Sequence, residues 1–158
     1  MFGRAYRGGP SQVFADRMKL AQQLVYGEQI GWIDPRIVDD TVRFPFFKSI
    51  VQTRHKYRDY FYKGEMIRPP KLLDDIPTVT ADWQWSGETI ITTGAVLTGG
   101  WRKKDADGNT ISAVFFFVNI SDKPITSRVK VDTDLPTDAF DVPLTFEPGV
   151  PMAIEVVR

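Results

Sequence analysis

The chain contains no cysteine and a single histidine, His55. The first absence removes disulfides, thiolate nucleophiles and cysteine-based zinc sites together, and the second removes a histidine-rich metal site. No metal and no cofactor are expected. An excess of one charge is lacking too: Lys plus Arg and Asp plus Glu each total 20. No whole-chain field therefore favours nucleic acid or an anionic membrane, and neither is expected as a partner. No stretch approaches the ~18 to 20 continuous apolar residues of a membrane helix. The opening "MFGRAYRGGP" has no apolar core of a secretory signal.

What is present is an ordinary globular composition, 42% apolar and 25% charged over 158 residues, enough for one domain or a small domain with something attached. Aromatic residues make up 13%, with four Trp and eleven Phe, which suits a packed core, a sugar-stacking surface, or both.

The periodicity changes partway along. In "SQVFADRMKLAQQL" and the residue directly after it, Phe14, Met18, Ala21 and Val25 recur at helical spacing, which predicts an amphipathic helix starting near Pro10 or Ser11. A second helix is predicted in "FPFFKSIVQTRHKYRDYFYKGE". There Phe46, Ile50, Tyr57 and Phe61 form one stripe, Phe47 and Val51 widen it, and Gly64 supplies a stop. "MIRPPKLLDDIP" is punctuated by proline and reads as an extended linker. Beyond it the period is two. "ITSRVKVDT" alternates, "SAVFFFVNI" is apolar on both faces as a covered central strand would be, and "DADGN", "SDKP" and "EPGV" are turn sequences. Strands are expected near 77–85, 88–93, 95–103, 109–120, 125–133, 142–147 and 150–157, an antiparallel β-sandwich. The expected class is α+β, with a helical segment at 1–68 and the sandwich at 69–158.

Between the helices lies "LVYGEQIGW". Two helices and one short strand-like piece cannot close a core of their own, and the order helix, strand, loop, helix is that of one turn of a larger α/β protein. The chain is therefore expected to begin inside a fold whose earlier part is missing. The succession "LVYGEQIGW", "RHKYRDYFYKGEMIRPP", "ADWQWSG", "GGWRKKDADGN" and "AVFFFVNISD" resembles the C-terminal end of an uncharacterised family of glycoside-hydrolase-like TIM-barrel proteins. The resemblance spans nearly the whole chain from about Phe14. It implies the last strand and helices of a (β/α)8 barrel, then an accessory β-sandwich. It also implies a fragment without a complete active site, whose partners are carbohydrate and the missing barrel portion. A free-standing carbohydrate-binding or structural sandwich is the alternative.

If residues 25–31 are a barrel strand, alternation turns Val25, Gly27, Gln29 and Gly31 to one face. Gln29, Trp32 and Asp34 would then border a sugar pocket at the strand's C-terminal end, where barrel enzymes carry their sites. The competing reading has Gly27 ending the first helix and Trp32 in a core. Glu28 lacks a second acid at strand spacing, so no catalytic residue is assigned; glycoside hydrolysis usually takes two carboxylates. Trp83 and Trp85 share a strand face and are expected to point into the core. Trp101, after Gly99-Gly100 and before Arg102-Lys103-Lys104, is expected to be the exposed ring and a sugar-stacking platform. "DADGN" starts like a calcium loop, but Phe116 stands where the closing glutamate belongs, and a hairpin turn explains it more simply. His55, Arg54, Lys56 and Arg58 make a basic helical face whose field Asp59 and Glu65 would temper.

Overall fold

The computed structural model describes residues 10–31, 34–83 and 89–158. Among the described residues three α-helices come first: α1 (Pro10–Val25), α2 (Phe44–Lys56) and α3 (Arg58–Lys63). Ten strands follow: β1 (Glu65–Ile67), β2 (Lys71–Leu72), β3 (Thr78–Asp82), β4 (Ile90–Gly94), β5 (Val96–Lys104), β6 (Thr110–Asn119), β7 (Ile125–Ser127), β8 (Val129–Lys130), β9 (Leu144–Phe146) and β10 (Pro151–Val157). The fold is α+β, and the strands form several small, mostly antiparallel sheets. One sheet has four strands in the order β1-β5-β6-β10, and β2-β8, β3-β4 and β7-β9 are two-stranded ladders. Among the described residues no helix is long and apolar enough to cross a membrane.

Strand β6 organises the core, because its sequence is apolar on both faces and both faces are covered. Phe115, Phe116 and Phe117 are all fully buried. Burying a side chain of this size stabilises by about 1.5–3 kcal/mol over leaving it exposed. Alternation sends Phe116 to the helical side, where Phe61 stacks on it at 5.5 Å and Tyr57 meets it edge-on at 5.5 Å. It sends Phe115 and Phe117 to the other side. There Phe140, from a short 3-10 turn at Asp138–Phe140, meets Phe115 edge-on, and Phe146 of β9 stacks on Phe117 at 5.1 Å. The helices thus form one layer, the four-stranded sheet a second, and β9 with the Phe140 turn covers the far face.

The helices reach the sheet through the stripes that their spacing predicts. Met18, Ala21 and Val25 of α1 and Phe46 and Ile50 of α2 are buried, as is Tyr57 between α2 and α3, while Phe14 and Phe61 pack partly buried against the same cluster. Seating α1 on β5 requires backbone to approach backbone. A Cβ at Gly99 would lie 2.6 Å from the Val25 carbonyl oxygen and 2.8 Å from its Cβ. The indole N–H of Trp101, two residues along on the same face, donates to that Val25 carbonyl at 3.0 Å and satisfies a helix-end acceptor that has no partner within α1. At the far end of the layer the Tyr60 hydroxyl donates to Glu155 of β10 at 2.6 Å. Burial, and then this bond, hold its phenol well above the usual tyrosine range.

Two expectations are corrected. Residues 25–31 are not a barrel strand: Val25 is the last residue of α1, and Gly27, with φ of 69°, turns the chain out of the helix into residues 28–31, which form neither helix nor strand. The alternative in which Gly27 ends the first helix is the observed one. The linker is partly sheet, since β1 pairs with β5 (Met66 opposite Trp101) and β2 pairs with β8. Proline bounds these strands without preventing a ladder outside it. Buried residues from Ala15 to Val156 belong to one cluster.

All seven expected strand regions contain strands, and that expected at 125–133 is broken into β7 and β8. Residues 105–109 make the hairpin turn expected of them. The Asp105 carboxylate accepts from the backbone N–H groups of Asp107 and Asn109, and Gly108 takes a φ of 86°. The network at Asn119 was not anticipated. Its buried amide donates to the carbonyls of Lys123 and Phe146, each at 2.8 Å, and its oxygen accepts from the N–H and hydroxyl of Ser121, so every polar atom of this core side chain is satisfied.

Two consequences are measurable. Gly99→Ala should push α1 off β5 at a cost of about 1–3 kcal/mol, read as a lower urea midpoint; an unchanged midpoint would show that the helix is not seated there. For Tyr60, a folded-state pKa raised above the usual 10.0 favours the neutral phenol in the fold. Its contribution is complete below about pH 10 and is lost as pH rises beyond it. The stability advantage of wild type over Tyr60→Phe should therefore shrink between about pH 9 and pH 12; an advantage constant across that range would contradict the assignment.

Candidate functional site

One concavity, of about 480 Å³, opens beside the segment that follows α1. Gln29 and Ile30 come from that segment, Phe47, Val51, Arg54 and His55 from α2, and Arg58 and Tyr62 from α3. The helical spacings are four, three, one, three and four residues, so a single face continues across the break at Tyr57. It lies beside the buried stripe of Phe46, Ile50, Tyr57 and Phe61 and carries a different composition. Ile30, Phe47 and Val51 supply an apolar lining, while Gln29, Arg54, His55 and Arg58 supply polar groups. Tyr62 is 69% exposed.

Arg54 is fixed by packing. Its guanidinium sits 4.8 Å from the centre of the Phe61 ring, the geometry of a cation–π contact. Its Nη1 is buried and has no hydrogen-bond partner among the described residues. Arg58 Nη1 lies 3.4 Å from His55 Nε2. Guanidinium only donates, so this contact uses the imidazole nitrogen as acceptor. The acids expected to temper this basic face are turned elsewhere. Asp59 pairs with Lys63 at 3.6 Å, and Glu65 pairs with Arg102 at 3.1 Å and Lys104 at 2.9 Å.

The residues singled out from the sequence separate. Gln29 is exposed and lines the concavity. Asp34 is not among the lining residues; it caps the 3-10 turn Pro35–Asp39, where its carboxylate accepts from the Arg36 backbone N–H and Nε at 3.0 Å. Those bonds, the side-chain ones first, lower its pKa to about 2. Trp32 and Trp85 lie outside the described residues.

Trp101 is not the exposed ring. Its N–H is taken by Val25, Phe61 meets it edge-on at 5.2 Å, and a Cβ on Gly27 would lie 2.7 Å from its Cζ2, so the indole is a packing element between α1, α3 and β5. Trp83 packs partly buried against the core, as expected, with its N–H directed at the Met18 sulfur 3.3 Å away. Glu28 is exposed, and no described residue lining the concavity is a carboxylate. No group of three or more His, Asp and Glu side chains suited to a metal ion occurs among the described residues.

Sequence reasoning reached Gln29 but missed the helical half of the concavity. The signal was available: Phe47, Val51, Arg54, Arg58 and Tyr62 recur at helical spacing one position away from the buried stripe. Reading Phe47 and Val51 as mere widening of that stripe hid the second face.

No family model, no curated protein and no solved structure matches this chain.

The bonding of Asp34 predicts a titration. Its carboxylate favours the charged form in the fold, so its contribution is complete above the ordinary 3.8 and is lost as pH falls through about 2. A ¹³C carboxyl titration should give a midpoint near 2 in wild type and a higher one in Arg36→Ala, still below the ordinary 3.8 because the backbone N–H of residue 36 goes on donating. A wild-type midpoint already near 3.8 would show that Asp34 is free to bind elsewhere.

Proposed function

We propose that this chain is the accessory, carbohydrate-contacting part of a glycosidase-like protein, with no complete active site of its own. In this reading the helices are the end of a (β/α)8 barrel, the strands are an accessory β-sandwich packed on them, and the catalytic carboxylates come from other residues of that barrel. The observation that carries it is the composition of the concavity beside Gln29. A pyranose has apolar C–H faces and a rim of hydroxyls. Phe47, Val51 and the Tyr62 ring offer surface to the faces, while the Gln29 amide, His55 and the guanidinium groups offer hydrogen bonds to the rim. The same lining contains no carboxylate among its described residues, which fits binding without hydrolysis.

A second reading, a free-standing carbohydrate-binding module, is favoured by one observation. The apolar stripes of α1 and α2 are covered by this chain's own sheet in a single core, so they call for no further partner.

Both readings place sugar at the same concavity and are tested together by titrating the chain with a panel of oligosaccharides while following amide signals at Gln29, His55 and Tyr62. Binding should perturb all three, and Tyr62→Ala and Gln29→Ala should each weaken it about threefold to tenfold with no change in fold. Sugars that perturb none of these signals would end both readings. Binding that requires the barrel to be supplied in trans would favour the accessory part over the free-standing module.

A further inference from the structure

We infer that the concavity selects sugars bearing a carboxylate, hexuronates, over neutral ones; the inference rests on the reading of this concavity as a carbohydrate site. Arg54 and Arg58 are the observations that set it apart. Seven other arginines in the described residues each meet a carboxylate or a main-chain carbonyl, as Arg17 meets the Ser121 carbonyl at 2.7 Å and Arg128 meets Asp74 at 2.8 Å. Arg54 and Arg58 meet neither. Among the described residues the one hydrogen-bonding neighbour of Arg58 is His55, and Arg54 Nη1 is buried without a partner.

Arginine heads four residues apart on a helical surface are neighbours and repel each other. Their position across the end of α2 accounts for positive charge, since cations suit helix C-termini. It does not account for a guanidinium nitrogen withdrawn from water without an acceptor, which is costly unless something supplies one. The chain has the acids to pair them, because its charges balance at 20 each. The two nearest in sequence at the end of this face, Asp59 and Glu65, are committed to Lys63 and to Arg102 and Lys104. A positive field is thereby left open on one wall of a concavity that also carries apolar and neutral polar side chains.

The geometry also fixes what kind of anion fits. Guanidinium is planar and matches a carboxylate through paired N–H donors. The Phe61 ring behind Arg54 orients that plane without using its donors. A bare inorganic anion would leave Phe47, Val51 and the Tyr62 ring uncovered, whereas the volume of about 480 Å³ takes a sugar ring as well as its carboxylate. In a hexuronate the carboxylate would lie against Arg54 and Arg58, the ring against Tyr62, and a hydroxyl toward Gln29.

The test titrates the full chain with trigalacturonate and with the neutral trisaccharide galactotriose, using acetate and inorganic phosphate as competitors. The uronate should bind at least about tenfold more tightly, the worth of one charge-assisted hydrogen bond, and the margin should narrow as salt is raised. Arg58→Gln, at an exposed position, should abolish most of that margin while weakening the neutral sugar far less than the uronate. Arg54→Gln should do the same where it folds, and Tyr62→Ala should weaken both sugars equally. Equal affinity for the two trisaccharides, or a margin that survives Arg58→Gln, would overturn the inference and leave the carbohydrate reading in place. Failure of both sugars to bind, or acetate and phosphate binding as tightly as the uronate, would overturn that reading together with the inference.

Discussion

The structure depends on one close approach, the end of helix α1 against strand β5. Main chain can come this near to main chain only where one partner lacks a side chain, and Gly99 is that residue. The approach brings the Val25 carbonyl within reach of the Trp101 indole, so an exposed helix end becomes a bonded one. It also leaves room beneath the indole only for Gly27, whose positive φ turns the chain away from the helix. The path of the next residues, including Gln29 at the edge of the concavity, follows from that turn. A strand glycine, a strand tryptophan and a post-helical glycine, far apart in sequence, act as one joint.

The second determinant is the run Phe115-Phe116-Phe117. Three consecutive phenylalanines are compatible with a strand only if both faces are dry, and each neighbouring layer answers one parity: Tyr57 and Phe61 from the helices, Phe140 and Phe146 from the C-terminal third. The ends of β6 solve a different problem. At Asn119 the strand stops inside the protein, where a polar group is tolerated only when fully bonded, and the amide joins the turn at Lys123 to β9 at Phe146. The core is therefore held in register by apolar parity along the strand and by a directional network at its tip.

Much of this was legible from periodicity. The buried stripes of α1 and α2, the hairpin turn at 105–109 and the doubly covered central strand follow from spacing and turn chemistry alone. What periodicity could not reveal is contact across the chain. Nothing local in Gly99-Gly100-Trp101 says that a helix end lies over it, so Trp101 reads as exposed when its N–H is already taken. "LVYGEQIGW" is rich enough in apolar residues to read as a strand, and only the tertiary joint fixes Gly27 as a helix stop. "MIRPP" reads as linker because strands of two or three residues are too short to show alternation. At the site, Gln29 was visible as a lone polar residue among small and apolar ones. The helical face that carries Arg54 and Arg58 could be read from spacing, but their lack of a counter-charge could not, because it is a property of where Asp59 and Glu65 go.

The short pairing of β1 with β5 has a consequence for how the molecule behaves in a crowd. A long strand left open at the margin of a sheet offers its amides and carbonyls to any other chain, and this is how sheets grow from one molecule into the next. Here β1 covers residues 100–102 of β5, Glu65 on β1 carries ion pairs to Arg102 and Lys104, and Pro69-Pro70 follows at once. Farther along, the Thr98 hydroxyl of β5 donates to the Pro70 carbonyl. The margin is thus three residues long, charged, and closed by residues that have no N–H to give. On this side of the phenylalanine-rich sheet, a segment that reads as a mere connection is what keeps β5 from acting as a template; the opposite edge is β10.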